Sequence, residues 1–115
     1  MVSGQTEVAV VLTTVRDLEE GRTLARALVR SGLAGCVTLV PQATSIYRWQ
    51  DGIAEETETM LVIKTPRDRL ESLRRDLAGR HPYELPEFLV LEVSAGSPEY
   101  LAWLRDSTRF PLEER

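Results

Sequence analysis

The apolar positions along this chain change period several times, and each change marks an element. Glu7 to Thr14 (EVAVVLTT) is a short β-branched run with apolar residues on both faces, the pattern of a buried strand. Asp17 with Glu20 three residues later forms a capping-box signal. Leu24, Ala25, Leu28 and Val29 then recur at helical spacing, and Gly32 stands where a left-handed terminator is wanted. A helix over about Leu18 to Ser31 follows, with Gly21 as a weak point or a place of close packing.

Cys36 to Gln50 (CVTLVPQATSIYRWQ) is rich in strand formers, and Pro41 within it marks a bend, a bulge or an unpaired edge. Asp51-Gly52 predicts a tight hairpin turn, and Ile53 to Thr65 (IAEETETMLVIKT) is the return strand. Thr65-Pro66-Arg67-Asp68 predicts a helix start with proline at its first position. Leu70, Leu73 and Leu77 mark that helix's buried face, and Gly79 its end. After a proline-spaced loop, Arg80 to Glu87, the run Phe88 to Val93 (FLVLEV) predicts a central, buried strand. Ser97-Pro98 caps a last helix carrying Tyr100, Leu101, Trp103 and Leu104.

The order is β-α-β-β-α-β plus one helix, read as a single domain over residues 1–115. The fold class expected is α+β: a ferredoxin-like βαββαβ sandwich with an extended central hairpin and an extra C-terminal helix. Right-handed crossovers put both helices on one face of a four-stranded antiparallel sheet. The hairpin is too long for such a body. Strands of some 15 residues span roughly 45–50 Å. A compact domain of this size has a radius of gyration near 13 Å and a diameter of about 35 Å. The tip must project, and its exposed edges and apolar Ile46, Tyr47 and Trp49 ask for neighbouring copies in a closed oligomer rather than a fraying ribbon.

Composition narrows the function classes. The chain is 43% hydrophobic and 28% charged, with net charge −4. That balance suits a soluble globular protein and speaks against a nucleic-acid binder, which needs a basic patch. The segment Val8 to Leu12 is too short for a membrane span or a signal-peptide core. Cys36 is the single cysteine, so a reducing, cytoplasmic setting is expected. GxxxxGK[ST], GxGxxG and GxSxG are absent, and TTVRDLEEG after the first strand is no anion cradle, so an enzyme is not expected. The third strand lacks the stacking aromatics of RNA-binding sheets of this topology.

Three groups carry candidate chemistry. His81, the single histidine, suits a metal ligand or proton carrier; taken alone it reads first as a loop histidine hydrogen-bonded to backbone or carboxylate. Cys36 reads first as a small buried hydrophobe, with soft-metal ligation alongside imidazole as the alternative. Glu55, Glu56 and Glu58 read as a solvated acidic face, with Glu56 and Glu58 on one side and weak hard-cation binding as the alternative. Trp103 reads as packing, and Trp49 as an interface anchor.

The runs LARALVRSGLAGCVTLVPQATSIYRWQDGI, LVIKTPRDRLESL, RHPYELPEFLVL and YLAWLRDST, in this order from about Val8 to Thr108, resemble the CutA family of divalent-cation tolerance proteins. The resemblance implies the fold just described and a tight homotrimer in which hairpin strands of adjacent subunits pair around a three-fold axis, like the PII signalling proteins in architecture. It implies clefts between subunits that gather Cys36, Trp49, Lys64, His81, Tyr83, Glu84 and Trp103. It implies copper or another divalent cation, or a small ligand, with His81 as the metal-contacting residue and Lys64 and Glu84 supplying charge. Some metal-binding relatives carry cysteine at the position of Thr13 and histidine at that of Arg80; this chain keeps only His81 of that set. The alternative is a PII-like regulatory module without a metal role.

Overall fold

A computed structural model describes residues 6–112. The elements are β1 (Val8–Val15), α1 (Leu18–Arg30), β2 (Cys36–Trp49), β3 (Gly52–Pro66), a short 3-10 turn (Arg67–Arg69), α2 (Leu70–Arg80), β4 (Leu89–Glu92) and α3 (Pro98–Ser107). The four strands form one antiparallel sheet in the order β2-β3-β1-β4. That is the expected α+β, ferredoxin-like arrangement, with α3 as the added helix.

Alternation along the strands divides the sheet into two faces. Val11, Val15, Leu61 and Ile63 pack under α1 and α2 with Leu24, Leu28, Leu73 and Leu77. The intervening residues Val10, Leu12, Val62 and Lys64 look the other way and stay partly exposed. α3 covers only the far end of that second face. Its Leu104 rests against Gly35, where a β-carbon would stand 2.7 Å from Ser107 Oγ and 2.8 Å from Leu104 Cδ2. Arg69 donates to the Thr108 carbonyl at 2.7 Å, and Arg105 pairs with Glu7 at 2.7 Å, fixing the helix's other side.

α1 starts as its sequence dictates, with Asp17 Oδ1 accepting the Glu20 amide at 2.9 Å. α2 does not. β3 runs on through Pro66, the 3-10 turn intervenes, no side chain caps the helix, and Gly79 lies inside it rather than at its end. The proline's missing N–H is accommodated at the strand's last position rather than in a helical first turn.

The hairpin turn sits one residue earlier than expected. Trp49 pairs with Gly52, so the two-residue loop is Gln50-Asp51, both with positive φ (47° and 58°). These are type I′ angles, matched to strand twist. Pro41 does mark a bulge: Val40 faces Met60 and Ala43 faces Glu58, one extra residue in β2, with Gln42 at φ 58°. β4 corrects a larger expectation. It is an edge strand, and all four of its residues are exposed. Its apolar character has no counterpart within this chain.

The projecting hairpin stretches the molecule. The radius of gyration is 15.0 Å and the extents are 44 × 42 × 23 Å, against a radius of about 13 Å for a compact chain of this length.

Candidate functional site

The seven candidate residues fall into three groups strung along β3. Cys36 faces Lys64 in the register, Tyr83 reaches Glu58, and Trp49 faces Gly52. Each interval along β3 is about 20 Å, from the rise of an extended strand. Within one chain they form no single pocket.

The first group lies at the α3 end of the open face. Lys64 Nζ donates to Thr38 Oγ1 at 2.7 Å and stands 3.7 Å from Cys36 Sγ. These are cross-strand neighbours, so the pairing register itself sets the contact. Tyr100 leans in from α3; burial raises its hydroxyl pKa, and the charge and hydrogen bond of Cys36 add to this. Trp103 stacks on Tyr100, with centroids 5.6 Å apart and planes 28° from parallel. Trp103 is 49% exposed rather than packed into the core. The paired rings form a flat apolar wall next to the Lys64 ammonium and the Cys36 thiol.

The second group closes the opposite end of β1. His81 follows α2 directly and is buried. Its Nε2 lies 2.8 Å from the Thr14 carbonyl and 3.1 Å from Thr13 Oγ1. Its Nδ1 accepts the Tyr83 amide at 3.1 Å. The carbonyl accepts only, so Nε2 carries the proton and Nδ1 the lone pair. Burial lowers the His81 pKa, while the Thr14 carbonyl, Glu20 and Glu58 pull the other way. Tyr83 continues around the sheet's end, and its hydroxyl donates to Glu58 Oε2 at 2.6 Å. Burial first, then Glu58, pushes that hydroxyl's pKa up, so it remains a donor. Glu84 lies exposed in the same loop.

The third group is the hairpin tip. Trp49 is 50% exposed, with Tyr47 edge-on to it at 6.3 Å. Tyr47 also donates to Glu56. The acidic stretch is thus split: Glu56 is exposed on the ribbon, whereas Glu58 is buried under Tyr83. A buried carboxylate needs such a donor, which pattern alone did not reveal.

A metal does not fit the His81 arrangement. Ligation needs a free imidazole lone pair, and the one on Nδ1 already accepts the Tyr83 amide. The contacts match the alternative reading of a histidine bonded to backbone. Among the described residues, no three His, Cys, Asp or Glu side chains gather as a metal-binding group. Thr13, Thr14, Thr38, Glu58 and Tyr100 complete these groups and were not picked out as partners from sequence. Thr13 is a full 68 residues from His81, and only the sheet brings them together. A polar residue at an inward-facing strand position was the one available signal.

A four-stranded sheet with α1 and α2 on one face, an overlong hairpin, and aromatic, thiol and ammonium groups with α3 on the other define a small ferredoxin-like α+β protein. The sequence signature of the CutA1 divalent ion tolerance protein family matches residues 9–107, and the chain belongs to that family. The divalent-cation tolerance protein CutA of Thermus thermophilus is 46% identical over 99 residues, 86% of this chain and 96% of that protein. CutA of Escherichia coli is 39% identical over 107 residues, 93% and 96% of the two chains. Crystallised CutA of Xylella fastidiosa superposes with a TM-score of 0.87 at 39% identity, covering 90% and 99%. CutA of Synechococcus elongatus does so with 0.86 at 45% identity, covering 90% and 93%.

Proposed function

We propose that this chain acts as a homotrimeric divalent-cation tolerance protein, without an enzymatic role, that binds copper or another divalent cation, or a small ligand, in clefts between subunits. The observation that carries the reading is the uncovered apolar surface. Val40, Leu89 and Leu91 are 39%, 55% and 48% exposed and lie on the same sheet face as the half-buried Val10, Leu12 and Val62. A contiguous apolar sheet face beside an unpaired edge favours association. The spacing of the candidate groups supports shared clefts, since Cys36, Lys64 and Trp103 stand far from Trp49, and both from His81, Tyr83 and Glu84, unless neighbours supply the missing wall.

Native mass spectrometry tests the assembly. Three chains per particle is the expected result, and a monodisperse single chain at micromolar concentration overturns it. Trp49→Ala is expected to weaken association by about 2–4 kcal/mol if the ring is an interface anchor, with the isolated subunit's fold unchanged. Copper(II) calorimetry on His81→Ala tests the metal assignment: loss of affinity with the assembly intact puts the ring on the metal, and unchanged affinity removes it.

The second reading is a PII-like regulatory module without a metal role. The occupied His81 ring and the Lys64 ammonium favour it, since a cation next to Lys64 is repelled. It predicts no rise in Tm with divalent metals beyond nonspecific effects, whereas a native-state ligand raises Tm by mass action. A cytoplasmic setting belongs to the proposal too. Among the described residues no helix is long and apolar enough to cross a membrane, and a relative from Arabidopsis thaliana, 40% identical over 87% of this chain and 55% of that protein, is named chloroplastic.

A further inference from the structure

The arginines of this chain are not treated alike. Arg16, Arg67, Arg74, Arg75, Arg80, Arg105 and Arg109 each pair with a carboxylate, and Arg69 holds a carbonyl. Arg22, Arg26 and Arg30 have no such partner among the described residues, and they follow one another at i,i+4 spacing on α1. Like charges so placed repel, so an unpartnered row weakens its own helix. The chain carries net charge −4, so carboxylates were available for pairing.

Two members of the row open onto a cavity. A groove of about 520 Å³ is lined by Arg26 and Arg30 of α1, by Arg80 at the end of α2, and by Thr23, Ser31 and Leu112. Asp76 holds Arg80 through Nε at 2.7 Å, which leaves that guanidinium's other N–H groups available. The groove adjoins a second cavity of about 340 Å³ that shares Thr23, Ala27 and Arg80 and is walled by Val15, Leu24 and Pro82, with Glu19 and Glu20 at its rim. Both lie on the helix side, away from the open sheet face.

We propose that this groove binds an oligophosphate, its linked phosphoryl groups bridging Arg26, Arg30 and Arg80. Guanidinium forks match phosphate oxygens bidentately. Two arginines one helical turn apart, faced by a third from another helix, suit a ligand with several adjacent charges better than a single carboxylate. The Thr23 and Ser31 hydroxyls at the margin already donate to the Glu19 and Leu28 carbonyls, so the guanidinium groups carry the recognition. The phosphate chain has two sources: a free oligophosphate, or the tail of a nucleotide whose body enters the adjoining apolar cavity.

The test is calorimetry on the full chain at low salt, in its native oligomeric state, with tripolyphosphate, ATP and citrate. Saturable tripolyphosphate binding is expected, weakened at least about tenfold in both Arg26→Gln and Arg30→Gln. Both positions are exposed on the helix and removing either charge relieves repulsion, so Tm should not fall and subunit count should hold. Arg48→Gln, which removes an unpartnered charge on the hairpin, should bind within about twofold of wild type. ATP binding tighter than tripolyphosphate assigns the nucleotide source, and weaker binding the free oligophosphate. Absence of saturable binding, an equal loss in Arg48→Gln, or citrate binding as tightly as tripolyphosphate would overturn the proposal.

Discussion

The two halves of the β2–β3 ribbon share one hydrogen-bonded ladder and live under different rules. At the base, Val37 and Leu39 face Ile63 and Leu61 beneath α1, and Leu61 and Ile63 are fully buried. Beyond the bulge, Thr44, Ile46 and Arg48 face Thr57, Glu55 and Ile53 with no helix above them, and Ile53 is 81% exposed. The pairing resumes past the bulge and runs to the turn, so backbone hydrogen bonding alone does not distinguish the halves. What differs is side-chain burial, the dominant favourable term in folding. The base holds the subunit together, and the tip is available to other molecules.

Substitutions separate the halves. Leu61→Ala removes a fully buried side chain at the base and should lower unfolding free energy by about 2–5 kcal/mol in denaturant titrations. A loss under 1 kcal/mol would mean that the base is no better packed than the tip. Tyr83→Phe acts at the boundary, where the hydroxyl serves the buried Glu58. It should cost about 2 kcal/mol, because the carboxylate loses a charge-assisted partner. Glu56→Gln, on the exposed part of the ribbon, should cost far less in the same assay.

His81 adds a pH dependence to the same boundary. Its folded pKa lies below the ordinary value of 6.5, chiefly through burial. Folding therefore favours the neutral ring, and the unfolded chain binds the proton more readily. The stabilisation is fully present above pH 6.5. It falls as pH drops through the depressed pKa, by up to about 1.4 kcal/mol per pH unit. Stability curves between about pH 7.5 and 5 should be flatter for His81→Asn than for wild type, since the variant lacks this proton. Identical slopes would remove His81 from the transition. The smallest effect is expected at the tip: Gln50→Asn should raise stability by about 0.5 kcal/mol, because asparagine tolerates positive φ better.

Where signal and structure are local, the sequence was readable. Asp17 and Glu20 sit three residues apart and cap α1 as their spacing says. The hairpin's length and the bulge at Pro41 follow from one stretch of chain. The turn slipped by one residue because Asp-Gly usually supplies both loop positions, whereas here Gly52 pairs with Trp49 and leaves Gln50 and Asp51 to turn. β4 misled for a different reason. Leu89, Val90 and Leu91 read as buried, but a sequence does not say whether its own chain or another does the burying. The His81 contacts were out of reach because Thr13 and Thr14 become neighbours only after the sheet has formed. Family likeness correctly named the fold; its placing of His81 on a metal is what the copper calorimetry decides.

The single extra residue at Pro41–Gln42 shifts the side-chain alternation of β2. Before it, even-numbered residues of β2, Cys36 and Thr38 among them, look toward the open face; after it, odd-numbered ones do, Tyr47 among them. Cys36 and Tyr47 therefore share a side that strict alternation would deny them. Deleting Gln42 would close the bulge and leave Ala43 opposite Glu58, so Tyr47 would keep its side, whereas deleting one residue beyond Ala43 would turn the remaining arm over and exchange Tyr47 for Ile46 and Arg48. A single-residue deletion should accordingly be tolerated at the bulge and not beyond it.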